Sequence, residues 1–526
     1  MSDATSGAAV AAAPKATRRE WIGLAVIALP CLVYAMDLTV LNLAVPALSA
    51  ELAPTGSQLL WIIDIYGFLV AGFLITMGTL GDRIGRRKLL LIGAAAFGAA
   101  SAIAAFSRSA EMLIAMRALL GIAGATLAPS TMSLIRNMFH DEHQRQFAIG
   151  IWIASFSLGG AIGPLVGGVL LEYFHWGSVF LVAVPVMVAL LVLGPKLLPE
   201  YKDPNAGRID LPSVALSLAA VLTTIYALKR MAEHGFALGS VALLLIGLGI
   251  GFVFVRRQQT LAYPLLELKL FRSAAFSAAI AAYALTSLAM FGVYIFITQY
   301  LQLVLGLSPL KAGLATLPWA LAFVAGSLLA PRLARSTSRL SVMVWGLVAA
   351  AVGMALVAAV DVALLGSGLP VLIVGTVVMS LGMAPVFTIG NEMIITAAPP
   401  ERAGAASALS ETASEFSGAV GIALFGSAGA VVYRLGLADA MPSGVPESAA
   451  AAAQGTIGAA VAVAQSLPDA VGVALVGAAR TAFVDALQLT AMAGALIVVV
   501  ACVLSARLLR GGPGNSTVVR PAEEMS

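Results

Sequence analysis

Apolar stretches of about 20 residues recur from end to end of this 526-residue chain, and each can cross a hydrocarbon core of about 30 Å as an α-helix. In lipid no water is present to satisfy backbone N–H and C=O groups, so only helices and closed barrels can span. A barrel would show alternating segments of about 10 residues, and none occur. Charged letters make up 11% of the chain, where a soluble domain carries about a quarter. The chain therefore reads as an all-α polytopic membrane protein.

The expected spans are 22–48, 59–80, 88–106, 111–138, 146–173, 177–198, 211–230, 238–257, 274–303, 311–332, 340–361, 368–397, 404–436 and 486–509, fourteen in all. An even count returns both termini to one side. With that side cytosolic, the inner loops collect most of the basic residues, among them Lys15, Arg83, Arg86, Arg87, Lys88, Arg256, Arg257, Arg402 and Arg507. Outer segments hold only Arg108, Lys229, Arg230, Lys311, Arg434 and Arg480, and this asymmetry fits the positive-inside rule. Residues 1–20 lack a small-residue cleavage site after a short apolar core, so they read as a retained cytosolic tail; residues 512–526 read as a second. Residues 448–467 are apolar mainly through Ala and Gly, and a fifteenth crossing there would put Arg507 and Arg510 outside. Residues 437–480 are accordingly expected to be an external loop with some helix.

The net charge of +4 is small and scattered over loops, which gives no footprint for nucleic acid. Cys31 and Cys502 both fall inside apolar spans, so neither a disulfide framework nor a thiolate metal site is expected. His140, His143, His175 and His234 lie in expected loops. No Gly-x-x-x-x-Gly-Lys-Ser/Thr string occurs, so ATP is not the expected energy source.

A faint internal repeat supplies a domain organisation. "GTLGDRIGRRKLLLIG" (78–93) aligns with "PRLARSTSRLSVMVWG" (331–346), matching Leu80 with Leu333, Arg86 with Arg339 and Gly93 with Gly346. Both strings join two spans on the inner side. The pattern suggests a six-helix half at 21–200, an inserted pair (spans seven and eight) at 201–260 and a second six-helix half at 261–511. Repeats of this kind are typical of transporters.

Several strings carry a resemblance. Gly78, Leu80, Asp82, Arg83, Gly85, Arg86 and Arg87 stand where the loop signature of the major facilitator superfamily has its Gly-x-Leu-x-Asp-Arg-x-Gly-Arg-Arg/Lys. Gly85 allows a tight turn, and Asp82 can hold a cation or a helix N-terminus. "RALLGIAGA" resembles the superfamily's fourth-helix Arg-x-x-x-Gly motif; Arg117 there must face protein or water, either as an architectural ion pair or as a cation tuning a neighbouring acid. "SFSLGGAIGPLVGGVL" sets Ser155, Gly159, Gly163 and Gly167 on one helical stripe and Gly160, Pro164 and Gly168 on the next. Close helix packing would explain such stripes; the string also resembles the antiporter signature of proton-driven drug exporters.

With "MDLTVLN" in the first span and "SETASEF" in the thirteenth, the whole chain resembles the fourteen-span drug/proton antiporters, especially bacterial quaternary-ammonium-compound efflux pumps of the Qac type. The resemblance implies a major facilitator fold in the bacterial inner membrane, both termini cytoplasmic. It places functional acids at Asp37, Asp64, Glu411 and Glu415. The tenth span, where some relatives carry another acid, has none. Glu392, near the inner end of span twelve, is either a gate residue or a wetted helix end.

Glu411 and Glu415 lie four apart, on one face and about 6 Å apart along the axis. Entering from Gly404, they stand about 10 and 16 Å deep. Two neighbouring buried carboxylates cannot both ionise cheaply, so the pair can hold a proton or a cation but not both comfortably. Glu411 is expected as the proton carrier and Glu415 as the cation contact. Tyr34, Trp61, Tyr66, Trp152, Phe156, Tyr294 and Trp319 are candidate aromatic contacts for a lipophilic cation. The expected protein is a monomeric, proton-coupled exporter of lipophilic cations, antiseptics and dyes, with no cofactor, no metal and no enzymatic chemistry. The alternatives are an exporter of an endogenous lipid or small metabolite, or a proton symporter.

Overall fold

A computed structural model of the chain describes residues 15–202, 210–234, 237–261, 264–265, 268–361, 368–396 and 403–510. Most of the two expected tails, and Arg402, lie outside the described residues. The chain begins with α1 (Arg18–Leu52), α2 (Gly56–Ile84), α3 (Arg86–Ala104), α4 (Ala110–Gly124), α5 (Leu127–Met138) and α6 (Glu142–Tyr173). The short α7 (Ser178–Leu181) and α8 (Ala183–Leu197) follow, then α9 (Leu211–His234) and α10 (Leu238–Thr260). The second part comprises α11 (Ala274–Gln299), α12 (Pro309–Ser336), α13 (Arg339–Ala358), α14 (Gly368–Thr396) and α15 (Ala403–Asp439). It ends with α16 (Glu447–Ala453), α17 (Ile457–Ala464) and α18 (Asp469–Arg510). No strand occurs among the described residues.

Among the described residues, thirteen helices are long and apolar enough to cross a membrane. The expected seventh span is α9, whose apolar part, Leu211–Ala227, is shorter than the rest. Two expectations are refined. The fourth span breaks into α4 and α5 at Ala125–Thr126, where the Thr126 hydroxyl bonds back to the Ala123 carbonyl at 2.7 Å and fills the space that Gly93 leaves on α3. The segment 437–480 is largely helical, holding α16, α17 and the start of α18, which begins at Asp469 rather than near 486.

Helices α1 to α8 form one group: α1 packs on α6 and α8, α2 on α4, and α3 on α4 and α8. Helices α11 to α18 form another, with α11 on α15 and α18 and α13 on α14 and α18. The matched residues of the internal repeat occupy matching places: Arg86 and Arg339 each begin a helix, while Gly93 lies against the α4–α5 junction and Gly346 against α14. The groups meet where α2 lies on α15, α6 on α12 and α1 on α11.

Helices α9 and α10 pack on each other, and α9 covers the α2–α15 seam. Ile225 on α9 is buried with Phe68 of α2 and Ala423 of α15, flanked by Trp61, Val221 and Phe416. The pair is tied at one end by Arg257, which donates from Nε and Nη2 to the Asp210 carboxylate at 2.6 and 2.8 Å. Ser213 donates to the same carboxylate and accepts from Gln258 at 2.8 Å. Hydrogen bonds from Arg257 and Ser213 hold the Asp210 carboxyl down at about 2, below its ordinary 3.8. A carboxyl lowered on folding stabilises above its unfolded value and loses that contribution as pH falls through the folded one, so the tie holds above pH 4 and fails toward pH 2. Asp210→Asn should speed amide exchange several-fold at the tied ends of α9 and α10 while leaving α3 and α4 unchanged, as hydrogen-exchange mass spectrometry can read.

Candidate functional site

The site is built around Arg117, 1% exposed on α4. Its guanidinium pairs with Asp37 of α1, donates from Nε to the Ile62 carbonyl of α2 at 3.1 Å, and sits 4.5 Å from the centroid of the Tyr66 ring. An arginine away from water is tolerable only with such an enclosure. Gly121 lets the α2 backbone at Tyr66 close on α4, and Gly124 gives room to the Tyr34 ring.

Between the two helix groups lies a cavity of about 1030 Å³, its open mouth included. Glu411 and Glu415 of α15 both line it, with Tyr34 and Phe156 from the first group and Tyr294 and Trp319 from the second. The Tyr294 and Trp319 rings meet at a tilt, 4.5 Å between centroids, and Tyr34 meets Phe156 edge-on at 5.7 Å. Thr39, Met290, Phe291, Thr316 and Phe323 also line the walls; sequence reading missed them because nothing in a uniformly apolar span marks which face turns inward. A smaller chamber beside the cavity is lined by Asn42, Asp64, Arg117 and again Glu415. Glu415 thus belongs to both spaces, while Glu411 lines only the larger. The Tyr34 hydroxyl donates to Glu415 Oε1 at 3.0 Å.

Three expected aromatics line neither space. Tyr66 is the platform under Arg117. Trp152 donates to the Thr131 hydroxyl at 2.9 Å and packs on Phe156 from behind. Trp61 meets Phe68 edge-on and Tyr226 at a tilt, at the α2–α9 contact; its neighbours in sequence point inward, but the helix turn carries its ring out.

The stripes on α6 divide their work. A Cβ at Gly159, Gly163 or Gly167 would lie within 2.4 Å of α1 atoms, so this stripe seats α6 on α1. Gly168 lies against the Pro309 carbonyl, and Gly313 against the Pro164 carbonyl, which brings α6 and α12 together across the two groups. A Cβ at Gly160 would meet no atom within 4 Å, and Gly160 lines the cavity. Two further bonds cross nearby: Glu172 accepts from Leu310 N at 3.3 Å, and Gln302, on a π-helical turn after α11, donates to the Leu43 carbonyl at 3.0 Å.

The 78–87 string makes the opposite, basic end. Asp82 accepts from Arg86 Nε at 2.8 Å, and Arg86 also reaches the Pro129 carbonyl. Gly85 adopts φ +114°, a backbone that favours glycine, and a Cβ there would strike Glu200 at 2.5 Å. Glu200, unsignalled in the sequence, accepts from the backbone N–H groups of Arg87 and Lys88 at 3.1 and 3.2 Å, placing a carboxylate at the positive end of α3. Arg87 closes the turn on the Leu198 carbonyl at 2.9 Å. Gly78 lies at ordinary contact distance from Pro129, and Arg83 is exposed. Glu392 is half-exposed and paired with Arg339 at 2.7 Å, the counterpart of Arg86 in the repeat.

A family model described as Major Facilitator Superfamily matches residues 27–422. The chain belongs to this superfamily. Superfamily members similar to it include the multidrug efflux pump LfrA of Mycolicibacterium smegmatis, 45% identical over 93% of this chain and 96% of that protein. The methyl viologen resistance protein SmvA of Salmonella typhimurium is 35% identical over 89% of this chain and 93% of its own length. In structure, the superfamily fold is matched by a bacterial homologue of the human lysosomal transporter Spinster in an inward-facing, unoccupied conformation, with TM-score 0.67 and 16% identity over 94% and 98% of the two chains.

Removing one member of a buried ion pair strands the other charge, a loss of about 3–5 kcal/mol. Asp37→Leu and Arg117→Leu should each lower the melting temperature in detergent sharply, and the double variant should recover most of that loss in the same thermal-shift measurement.

Proposed function

We propose that the protein exports lipophilic cations, including quaternary ammonium antiseptics and dyes, across the bacterial inner membrane in exchange for protons. The observation that carries this reading is the placement of Glu411 and Glu415 together in one aromatic-walled cavity between the two helix groups. Two carboxylates held together in one cavity can carry a proton or balance a cation, and a cation entering the cavity competes with the proton for their charge. Aromatic faces and apolar area hold a cation without fixed directional bonds, which suits a broad range of drugs. The multidrug pump and the methyl viologen resistance protein among its relatives support a drug substrate.

In this reading fourteen spans cross the membrane with both termini cytoplasmic, and the halves 21–200 and 261–511 rock about the cavity while the pair 201–260 rides on the α2–α15 seam. The protein works as a monomer, driven by the proton gradient without a cofactor. The close approach of α6 and α12 at Gly168 and Gly313 lies at the end opposite the basic loops, so the cavity is closed toward the outside. Asp37 is held by Arg117, which leaves Glu411, Glu415 and Asp64 to handle the exchanged charge.

Inverted vesicles with an acidic lumen should release protons when ethidium is added, as a pH-sensitive dye reports; no ethidium-dependent release would overturn the antiport. Glu411→Gln and Glu415→Gln should each reduce ethidium efflux by an order of magnitude or more. Asp64→Asn should also lower it, and unchanged efflux in all three variants would remove the acids from the mechanism.

A further inference from the structure

Tyr34 is 3% exposed and its ring has little freedom. Tyr66 lies 6.0 Å away and Phe156 5.7 Å away between centroids, and the Cα of Gly124 forms the floor. This enclosure aims the hydroxyl across the gap between the helix groups, onto Glu415 Oε1. The contact runs from α1 to α15, two helices that do not otherwise pack closely at this level. Glu415 alone of the acid pair faces both the aromatic cavity and the chamber of Asn42, Asp64 and Arg117.

We propose that Tyr34 is a positioning residue whose hydroxyl couples the proton occupancy of Glu415 to the contact between the two helix groups. A phenol donates roughly twice as strongly to a carboxylate as to a neutral acid, and exclusion of water strengthens the difference. A charged Glu415 therefore draws α15 toward α1, and a protonated Glu415 releases it. Linkage makes the effect reciprocal: a conformation in which α1 and α15 have parted binds the proton at Glu415 more tightly than this one. The proton-linked acid is then Glu415 rather than Glu411, and Tyr34 acts through its oxygen more than through its ring. The inference rests on the proton-exchange reading above.

The other groups around Glu415 are Glu411 on its own helix, Asp37 on α1, Asp64 and Tyr66 on α2, Arg117 on α4, and Tyr283 and Tyr294 on α11. Arg117 and Asp37 offset each other, so the Tyr34 bond is the contact that a single-atom change can remove without altering net charge.

The test uses full-length protein in proteoliposomes, with ethidium-dependent proton flux followed from pH 5 to 9 for the wild type, Tyr34→Phe, Glu415→Gln and the double variant. Tyr34→Phe should move the midpoint of the pH profile upward by about one unit, the size of one charge-assisted hydrogen bond, because the charged form has lost its donor. Melting temperatures taken by thermal shift from pH 5 to 9 on the same variants report that each is folded, and Tyr34→Phe should move the midpoint of their pH dependence upward by a similar amount. On the Glu415→Gln background, where ethidium-dependent proton flux falls, the comparison is read from the pH dependence of the melting temperature, and Tyr34→Phe should add no further shift. A Tyr34→Phe profile that overlays the wild type, or a shift that persists on the Glu415→Gln background, overturns the proposal. Absence of ethidium-dependent proton flux in the wild type overturns the exchange reading instead.

Discussion

A guanidinium surrounded by hydrocarbon must be answered from within the protein, and Arg117 is answered from three sides at once. Asp37 supplies the opposite charge, Ile62 a carbonyl and Tyr66 the face of a ring. Meeting those demands draws α1, α2 and α4 to one point, and Gly121 and Gly124 are what permit the approach. The same convergence positions Tyr34, one turn before Asp37, so that its hydroxyl projects toward α15. The acid pair of the second helix group is thereby met by a group whose geometry was set by an ion pair in the first.

The two seams between the helix groups are built on different physics. At α2–α15 the contact is covered by α9, and bulky side chains such as Phe68, Phe416 and Ile225 fill it. At α6–α12 backbone meets backbone at Gly168 and Gly313, with Glu172 and Gln302 adding polar bonds nearby. Close-packed apolar side chains resist sliding because each displacement opens voids. A seam of glycines interdigitates few side chains and instead sets the two backbones close together. The side-chain seam thus lies beside the inserted pair and the backbone seam at α6–α12.

The helical spans were legible because the apolar periodicity of a membrane chain has few competing solutions. The same uniformity hid which face of each helix turned inward. Trp61 and Trp152 looked equivalent to Trp319 as letters, yet one faces α9, one bonds Thr131 and one lines the cavity. Glu200 carried no signal at all, since it reads as one more polar residue after an apolar run; only the approach of 198–200 to the start of α3 reveals it as the anion at that helix end. The extension of α18 back to Asp469 was missed for a related reason: Ala-rich stretches are weakly lipophilic but strong helix formers.

What the sequence determined by itself was the all-helical membrane class and the presence of acids that could survive only in a protein-lined space, because backbone and charge satisfaction in lipid admit no other outcome. It also determined that Glu411 and Glu415 share a helix face, since that follows from helical pitch. Tertiary structure alone decided that Asp37 is spoken for by Arg117, that Glu415 borders two spaces and Glu411 one, and that Tyr34 reaches across the gap. Those relations join residues from 80 to 381 positions apart, and no local periodicity or propensity encodes how distant helices rotate to face one another.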